Sequence, residues 1–135
     1  MLKSETKIRV RYGETDQMGY VYYGNYPLYY EVSRTDMIKK IGWTYGEMEK
    51  SGVMMPVASL NVKYIRPAFY DEELTVKVVV KNMPTKKMEF EYEVFNEQNK
   101  LINKGNTTLV FVDMKTGRLT NPPQEFTDKL KKYFK

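Results

Sequence analysis

Residues 27–41, PLYYEVSRTDMIKKI, carry the reading on which the fold turns. The run holds no glycine, and its one proline stands first, where a missing N–H costs a helix nothing. Asn25 occupies a candidate N-cap position, while Lys39, Lys40 and Gly42 mark the far end. A helix over Pro27–Ile41 is therefore predicted. Projected at about 100° per residue, its apolar side chains fall in two arcs. Leu28, Tyr29 and Val32 make one, and Tyr30, Met37, Ile38 and Ile41 make the other. A helix lying on a surface shows a single stripe, so two arcs predict one enclosed by protein on much of its circumference. Arg34 falls within the second arc and needs a partner, for which Glu31, three residues earlier, is the local candidate.

On either side of this helix the period changes to two. Ahead of it, Ile8, Val10 and Tyr12 alternate with Lys7, Arg9 and Arg11, the pattern of a half-buried strand. Behind it, a short helical piece over Tyr45–Ser51 leads into further alternation. Leu60, Val62 and Tyr64 share one face, then Leu74, Val76, Val78 and Val80, then Met88, Phe90, Tyr92 and Val94. Glu89, Glu91 and Glu93 fall on the opposite, solvent face of that last strand. Residues 101–113, with Leu109 and Phe111 on one face, complete the set. The separators, such as 83–86 and 96–99, are short and turn-rich, which requires antiparallel neighbours. In the tail, Phe126, Leu130, Tyr133 and Phe134 form a short amphipathic helix folded back on the body. The economical solution is α+β: an antiparallel sheet of about five strands wrapped around one long helix. No repeat, low-complexity tract or linker interrupts residues 1–135, which read as a single domain.

Composition narrows the chemistry. The 135 residues contain 22 Lys+Arg, 17 Asp+Glu, and neither cysteine nor histidine. No disulfide frame, thiolate nucleophile, imidazole base or usual zinc ligand set is available, and a metal site is not expected. None of Ser4, Ser33, Ser51 and Ser59 sits in a G-x-S-x-G elbow. Chemistry must run on carboxylates, hydroxyls, amines and backbone dipoles. The net charge of +5 favours an anionic partner without any nucleic-acid motif. The start, MLKSETKIRV, lacks the apolar core of a signal peptide, and no apolar run approaches a membrane span. A cytoplasmic location is expected.

Residues 13–26, GETDQMGYVYYGNY, lead directly into the predicted helix N-terminus, where unpaired N–H groups and the dipole favour negative charge. Asp16 precedes that terminus, and Gly19 and Gly24 permit tight turns and close backbone approach. The arrangement points to acyl transfer to water, with N–H groups holding an oxyanion and Asp16 attacking the carbonyl or activating water. An aspartate in such a loop also fits a plain turn former.

The run Thr15-Asp16-Gln17-Met18-Gly19-Tyr20-Val21-Tyr22-Tyr23-Gly24-Asn25-Tyr26 resembles the signature of the 4-hydroxybenzoyl-CoA thioesterase family. The likeness continues through Glu31 and Arg34, through Val62-Lys63-Tyr64-Ile65-Arg66-Pro67-Ala68, and through Tyr70-Asp71. It implies the hotdog fold and an acyl-CoA thioesterase without cofactor. It also implies a homodimer or a dimer-of-dimers homotetramer, with active sites at the subunit interface. By position, Asp16 matches the family's catalytic carboxylate, as nucleophile or general base. Tyr23 matches the residue whose backbone N–H polarises the thioester carbonyl. Many relatives have histidine there; tyrosine, as in the hydroxybenzoyl branch, keeps a main-chain donor and drops any imidazole.

Further candidates surround this pair. Gly24 and Tyr26 are substrate contacts, and Lys63, Arg66, Lys86 and Lys87 are candidates to hold coenzyme A phosphates. The cluster Tyr20, Tyr22, Tyr23, Tyr26, Tyr29 and Tyr30 divides between an acyl pocket and packing. Glu14 reads as a solvated loop acid, with assistance to Asp16 as the other reading. An acyl-carrier-protein substrate and a non-catalytic acyl-CoA binding module are the competing functions.

Overall fold

The computed structural model describes residues 1–135. In chain order the elements are β1 (Leu2–Arg9), α1 (Tyr26–Lys40), α2 (Tyr45–Lys50), β2 (Val53–Met54), β3 (Val57–Tyr64), β4 (Glu73–Val80), β5 (Lys87–Phe95), β6 (Leu101–Val110), β7 (Val112–Asp113) and α3 (Gln124–Leu130). Five strands form one antiparallel sheet in the order β1-β4-β5-β6-β3, curled over α1 as in the hotdog fold. The last expected strand run is divided: residues 101–113 break at Phe111, and β7 leaves the main sheet to pair with β2. Strands of two residues are too short to show alternation, which is why the sequence hides this second sheet.

Period-two patterning sorts the faces as expected. Val76, Val78, Val80, Met88, Phe90, Tyr92 and Val94 are buried in the core, while Glu89, Glu91 and Glu93 are exposed. The helix is fixed to the sheet at Tyr30. Its ring stacks on Tyr92 with centroids 4.1 Å apart and planes 3° from parallel. Its hydroxyl donates to Asn103 Oδ1. Gly105 of β6 makes room: a Cβ there would collide with the Asn61 carbonyl and lie 2.6 Å from the Tyr30 hydroxyl. At the other end, Phe126 and Leu130 of α3 are fully buried and close the core.

Several expectations need correction. Of the two helical arcs, Tyr30, Met37, Ile38 and Ile41 are buried, but Leu28 and Val32 are 56% and 46% exposed. The sheet ends at β3, whose residues are exposed along nearly its whole length, so this flank of α1 has no cover within the chain. Arg34 does not pair with Glu31, which stays at the surface. It is buried facing the Tyr92 and Tyr45 hydroxyls; burial alone would lower its pKa, and those hydroxyls raise it on balance. Asn25 does not cap α1, because a 3-10 turn over Tyr23–Asn25 runs straight into the helix and gives Asn25 a helical backbone. Tyr12 lies beyond β1 in a 3-10 turn and is exposed. No helix is long and apolar enough to cross a membrane.

The core is rich in tyrosine, and burial raises the hydroxyl pKa of each buried ring. Tyr26 and Tyr45 are pushed up to about 12, the latter with Arg34 opposing the rise, and Tyr29, Tyr30 and Tyr92 are raised as well. The unfolded chain ionises these groups near 10.0. Above that pH the unfolded state binds fewer protons than the folded one, so stability falls as pH rises towards the folded values. Each such tyrosine should add a slope of up to about 1.4 kcal/mol per pH unit. Urea midpoints between pH 8 and 11.5 should stay level and then drop steeply above pH 10, with tyrosinate absorbance rising as the chain unfolds.

Candidate active site

The loop between β1 and α1 is held by Glu14. Its carbonyl accepts from the Tyr22 N–H at 2.9 Å and from Asn25 Nδ2 at 2.8 Å. Its Oε1 accepts from the Arg11 N–H at 2.8 Å and the Tyr29 hydroxyl at 3.1 Å, and the Arg11 guanidinium lies 3.2 Å from Oε2. With its side chain only 18% exposed, Glu14 is neither a solvated loop acid nor an assistant to Asp16. It ties the loop to the first turns of α1.

Asp16 opens a tight reversal. Its N–H donates to the Tyr20 carbonyl at 2.8 Å, Thr15 bridges Val21, and Gly19 takes φ +79°, which a side chain would resist. Asp16 Oδ1 accepts from the N–H groups of Met18 at 2.9 Å and Tyr20 at 3.2 Å. The turn-former reading is therefore correct for one oxygen. The other, Oδ2, takes no protein donor. The tip is docked on the segment before β4: the Val21 N–H donates to the Ala68 carbonyl at 2.8 Å, and Tyr20 bridges Phe69.

The chain then turns into α1 through Tyr23–Asn25. The Tyr22 carbonyl accepts from the Asn25 N–H at 2.9 Å, but the N–H groups of Tyr23 and Gly24 find no protein acceptor. They are the free donors expected at a helix start. Gly24 is covered by the Tyr22 ring, which a Cβ would approach to 2.7 Å. The neighbouring Tyr23 phenol raises the Tyr22 hydroxyl pKa, and burial followed by Tyr23 raises that of Tyr64.

An open cavity of about 320 Å³ collects these parts. Asp16, Tyr23, Tyr26 and Arg66 line it, all four named from the sequence, with Gly24 adjoining Tyr23. Met18, Tyr64, Ile65 and Pro67 join them without having been assigned a role; Tyr20, already in the tyrosine cluster, lies on its wall. Tyr64 was marked by its place on the apolar face of β3 and within the family-like run Val62–Ala68, but with no role. Lys63 is elsewhere, facing the outer side of the sheet beside Lys77 and Lys104. Lys86 and Lys87 stand at the start of β5, the opposite end of the sheet, where Lys87 meets Glu89 at 3.0 Å. No group of three or more acidic residues is placed to hold a metal ion.

The chain is similar to several known proteins. The Thioesterase-like superfamily pattern matches residues 10–130. YneP of Bacillus subtilis (strain 168) is 39% identical over 110 residues, covering 82% of this chain and 80% of that protein. The acyl-CoA thioester hydrolase YbgC of Escherichia coli O6:H1 is 29% identical over 106 residues, covering 78% of this chain and 79% of its own. Among solved structures, a DHNA-CoA thioesterase from Staphylococcus aureus superimposes with a TM-score of 0.90 at 39% identity. That match covers 98% of this chain and 89% of the other.

Because the Glu14 carboxylate joins the Arg11 N–H and guanidinium to the Tyr29 hydroxyl, removing it should be felt in stability. Glu14→Ala is expected to lower the free energy of unfolding by about 1.5–3 kcal/mol, the usual worth of hydrogen bonds to a charged group. Urea titration of the variant against the parent protein measures it.

Proposed function

Since the chain belongs to the Thioesterase-like superfamily, we propose that it is an acyl-CoA thioesterase whose single domain hydrolyses the thioester at the cavity between Asp16 and Tyr23. The observation that carries this is one cavity lined by both an aspartate with an unshared oxygen and a helix start with unused N–H donors. The thioester oxygen sits against the Tyr23 N–H, which stabilises the charge developing on it. Asp16 Oδ2 acts as the nucleophile or as the base that activates water. Water adds oxygen to the acyl carbon, the C–S bond breaks, and the leaving sulfur departs as the coenzyme A thiol once protonated. The products are a free carboxylic acid and coenzyme A. Without histidine in the chain no imidazole can serve here, and the unused Tyr23 N–H is the donor in this reading.

Arg66, on the cavity wall, is the basic contact for the coenzyme A phosphates. The working form in this reading is a homodimer joined along β3. That strand is an uncovered sheet edge, and Leu28, Val32 and Leu60 are exposed apolar side chains next to it. Antiparallel pairing of two β3 edges brings the far end of one sheet, with its Lys86 and Lys87, towards the cavity of the other copy. Pairs of such dimers give the tetramer, with Lys63 on the outer sheet face.

Two measurements test these statements. Across short, long, branched and aryl acyl-CoA substrates, the purified protein should hydrolyse at least one class, and Asp16→Asn should lower kcat by about 10²–10⁴-fold. Unimpaired turnover in Asp16→Asn would falsify the role given to the carboxylate. In light scattering the parent protein should have the mass of two or four chains, and Val32→Glu should shift it towards the monomer.

A further inference from the structure

Tyr64 lies on the edge strand, 41 residues beyond Tyr23, yet its hydroxyl donates to the Tyr23 carbonyl at 3.0 Å. The bond has a cause in the sequence. In a regular helix the carbonyl of residue 23 accepts from the N–H of residue 27, but residue 27 is proline and has none. In the 3-10 turn over Tyr23–Asn25 this carbonyl meets the Tyr26 N–H three residues on, and the phenol adds the donor that Pro27 withholds. Its ring is held edge-on by Tyr26, with centroids 5.6 Å apart at 74°, and by Tyr23, at 6.4 Å and 90°. The strand register sets it opposite Asn103 of β6, the residue that receives the Tyr30 hydroxyl.

A peptide group is planar and, here, trans, so its C=O and N–H point in opposite directions. Fixing one end aims the other. The Asn25 N–H fixes the Tyr22 carbonyl and thereby aims the Tyr23 N–H. Tyr64 does the same for the next peptide, fixing the Tyr23 carbonyl and aiming the Gly24 N–H, which no protein acceptor takes. A hydrogen bond accepted by a carbonyl also polarises the attached N–H, making it a better donor.

We infer that Tyr64 is a positioning residue of the thioesterase site, its hydroxyl orienting the Tyr23–Gly24 peptide so that the Gly24 N–H serves as a second oxyanion donor beside that of Tyr23. The inference rests on the function proposed above and adds a donor and the group that aims it. Asp16 and Tyr23 touch the reacting atoms; Tyr64 acts through the peptide it holds. A Tyr64 that merely walled the acyl pocket would act on KM, and one that merely braced the loop would act on the melting temperature. Orientation of a donor acts on kcat.

Tyr64→Phe keeps the ring and deletes the bond. With the best substrate of the panel, kcat should fall about five- to twentyfold, less than the ~10²–10³ that follows outright loss of an oxyanion donor. KM should stay within about twofold under the same argument, and the thermal midpoint should not move. In ¹H–¹⁵N spectra the Gly24 amide should shift upfield, with the Tyr23 amide moving less. Pro27→Ala restores an N–H at position 27, so adding it to Tyr64→Phe should recover part of the lost kcat. An unchanged kcat in Tyr64→Phe of an active enzyme, or a loss seen only in KM, overturns the inference and leaves the proposed function standing. A Gly24 amide indifferent to the substitution overturns it independently of any activity. A parent protein inert towards every thioester overturns the functional reading itself.

Discussion

The seating of Tyr30 in the sheet is the constraint from which the remaining geometry follows. A helix under a curved sheet can slide and roll unless something fixes it in both senses. Here the face-to-face ring of Tyr92 fixes the height, and the hydroxyl on Asn103 fixes the position along β6. Both depend on Gly105, the one residue that leaves space for the Tyr30 hydroxyl. Because a packed interior does not deform continuously, this seat also sets where the helix begins. The start of α1 is where the loop from Gly13 to Tyr26 must deliver its donors.

The site is then assembled by short, separate ties. Glu14 binds the loop to α1 through Tyr29 and Asn25, and the Val21 N–H binds it to Ala68. Asp16 divides its two oxygens between holding a turn and facing a cavity. Holding the turn therefore leaves one carboxylate oxygen without a protein donor. Pro27 has a similar double character. It starts the helix without strain, and it withholds from the Tyr23 carbonyl a donor that the edge strand then supplies. The core and the cavity thus share tyrosines as their common material, apolar enough to bury and polar enough to tie.

The helix, the strand faces and the order of elements were legible because burial imposes periods of 3.6 and 2.0 on the residues themselves. Asp16, Tyr23, Tyr26 and Arg66 were legible as a group through the family likeness, and one cavity collects them. What could not be read is whatever depends on partners distant in sequence. Glu31 was a reasonable match for Arg34 by spacing, but the hydroxyls that face Arg34 come from β5 and from α2. The bond from Tyr29 to Glu14 is no more local, which is why Glu14 looked like an ordinary loop acid. Leu28 and Val32 lie on an apolar arc, and whether that arc is covered depends on where the sheet ends. Lys63, Lys86 and Lys87 were grouped by charge alone, and charge does not say which side or end of a sheet a residue occupies.

The strand order has a consequence for how the molecule comes into being. β1 is made first but pairs only with β4; Lys7 and Thr75, bonded at 3.1 Å, are 68 residues apart. At ordinary translation rates of 5–20 residues per second, β1 waits roughly 3–14 s for its neighbour. α1 emerges in that interval with Tyr30 ready and neither Tyr92 nor Gly105 yet synthesised. Its inward face is bare while the chain grows, and loop closures this long slow folding once synthesis ends. The nascent chain therefore passes through a stage in which the inward face of α1 is complete and its cover is not.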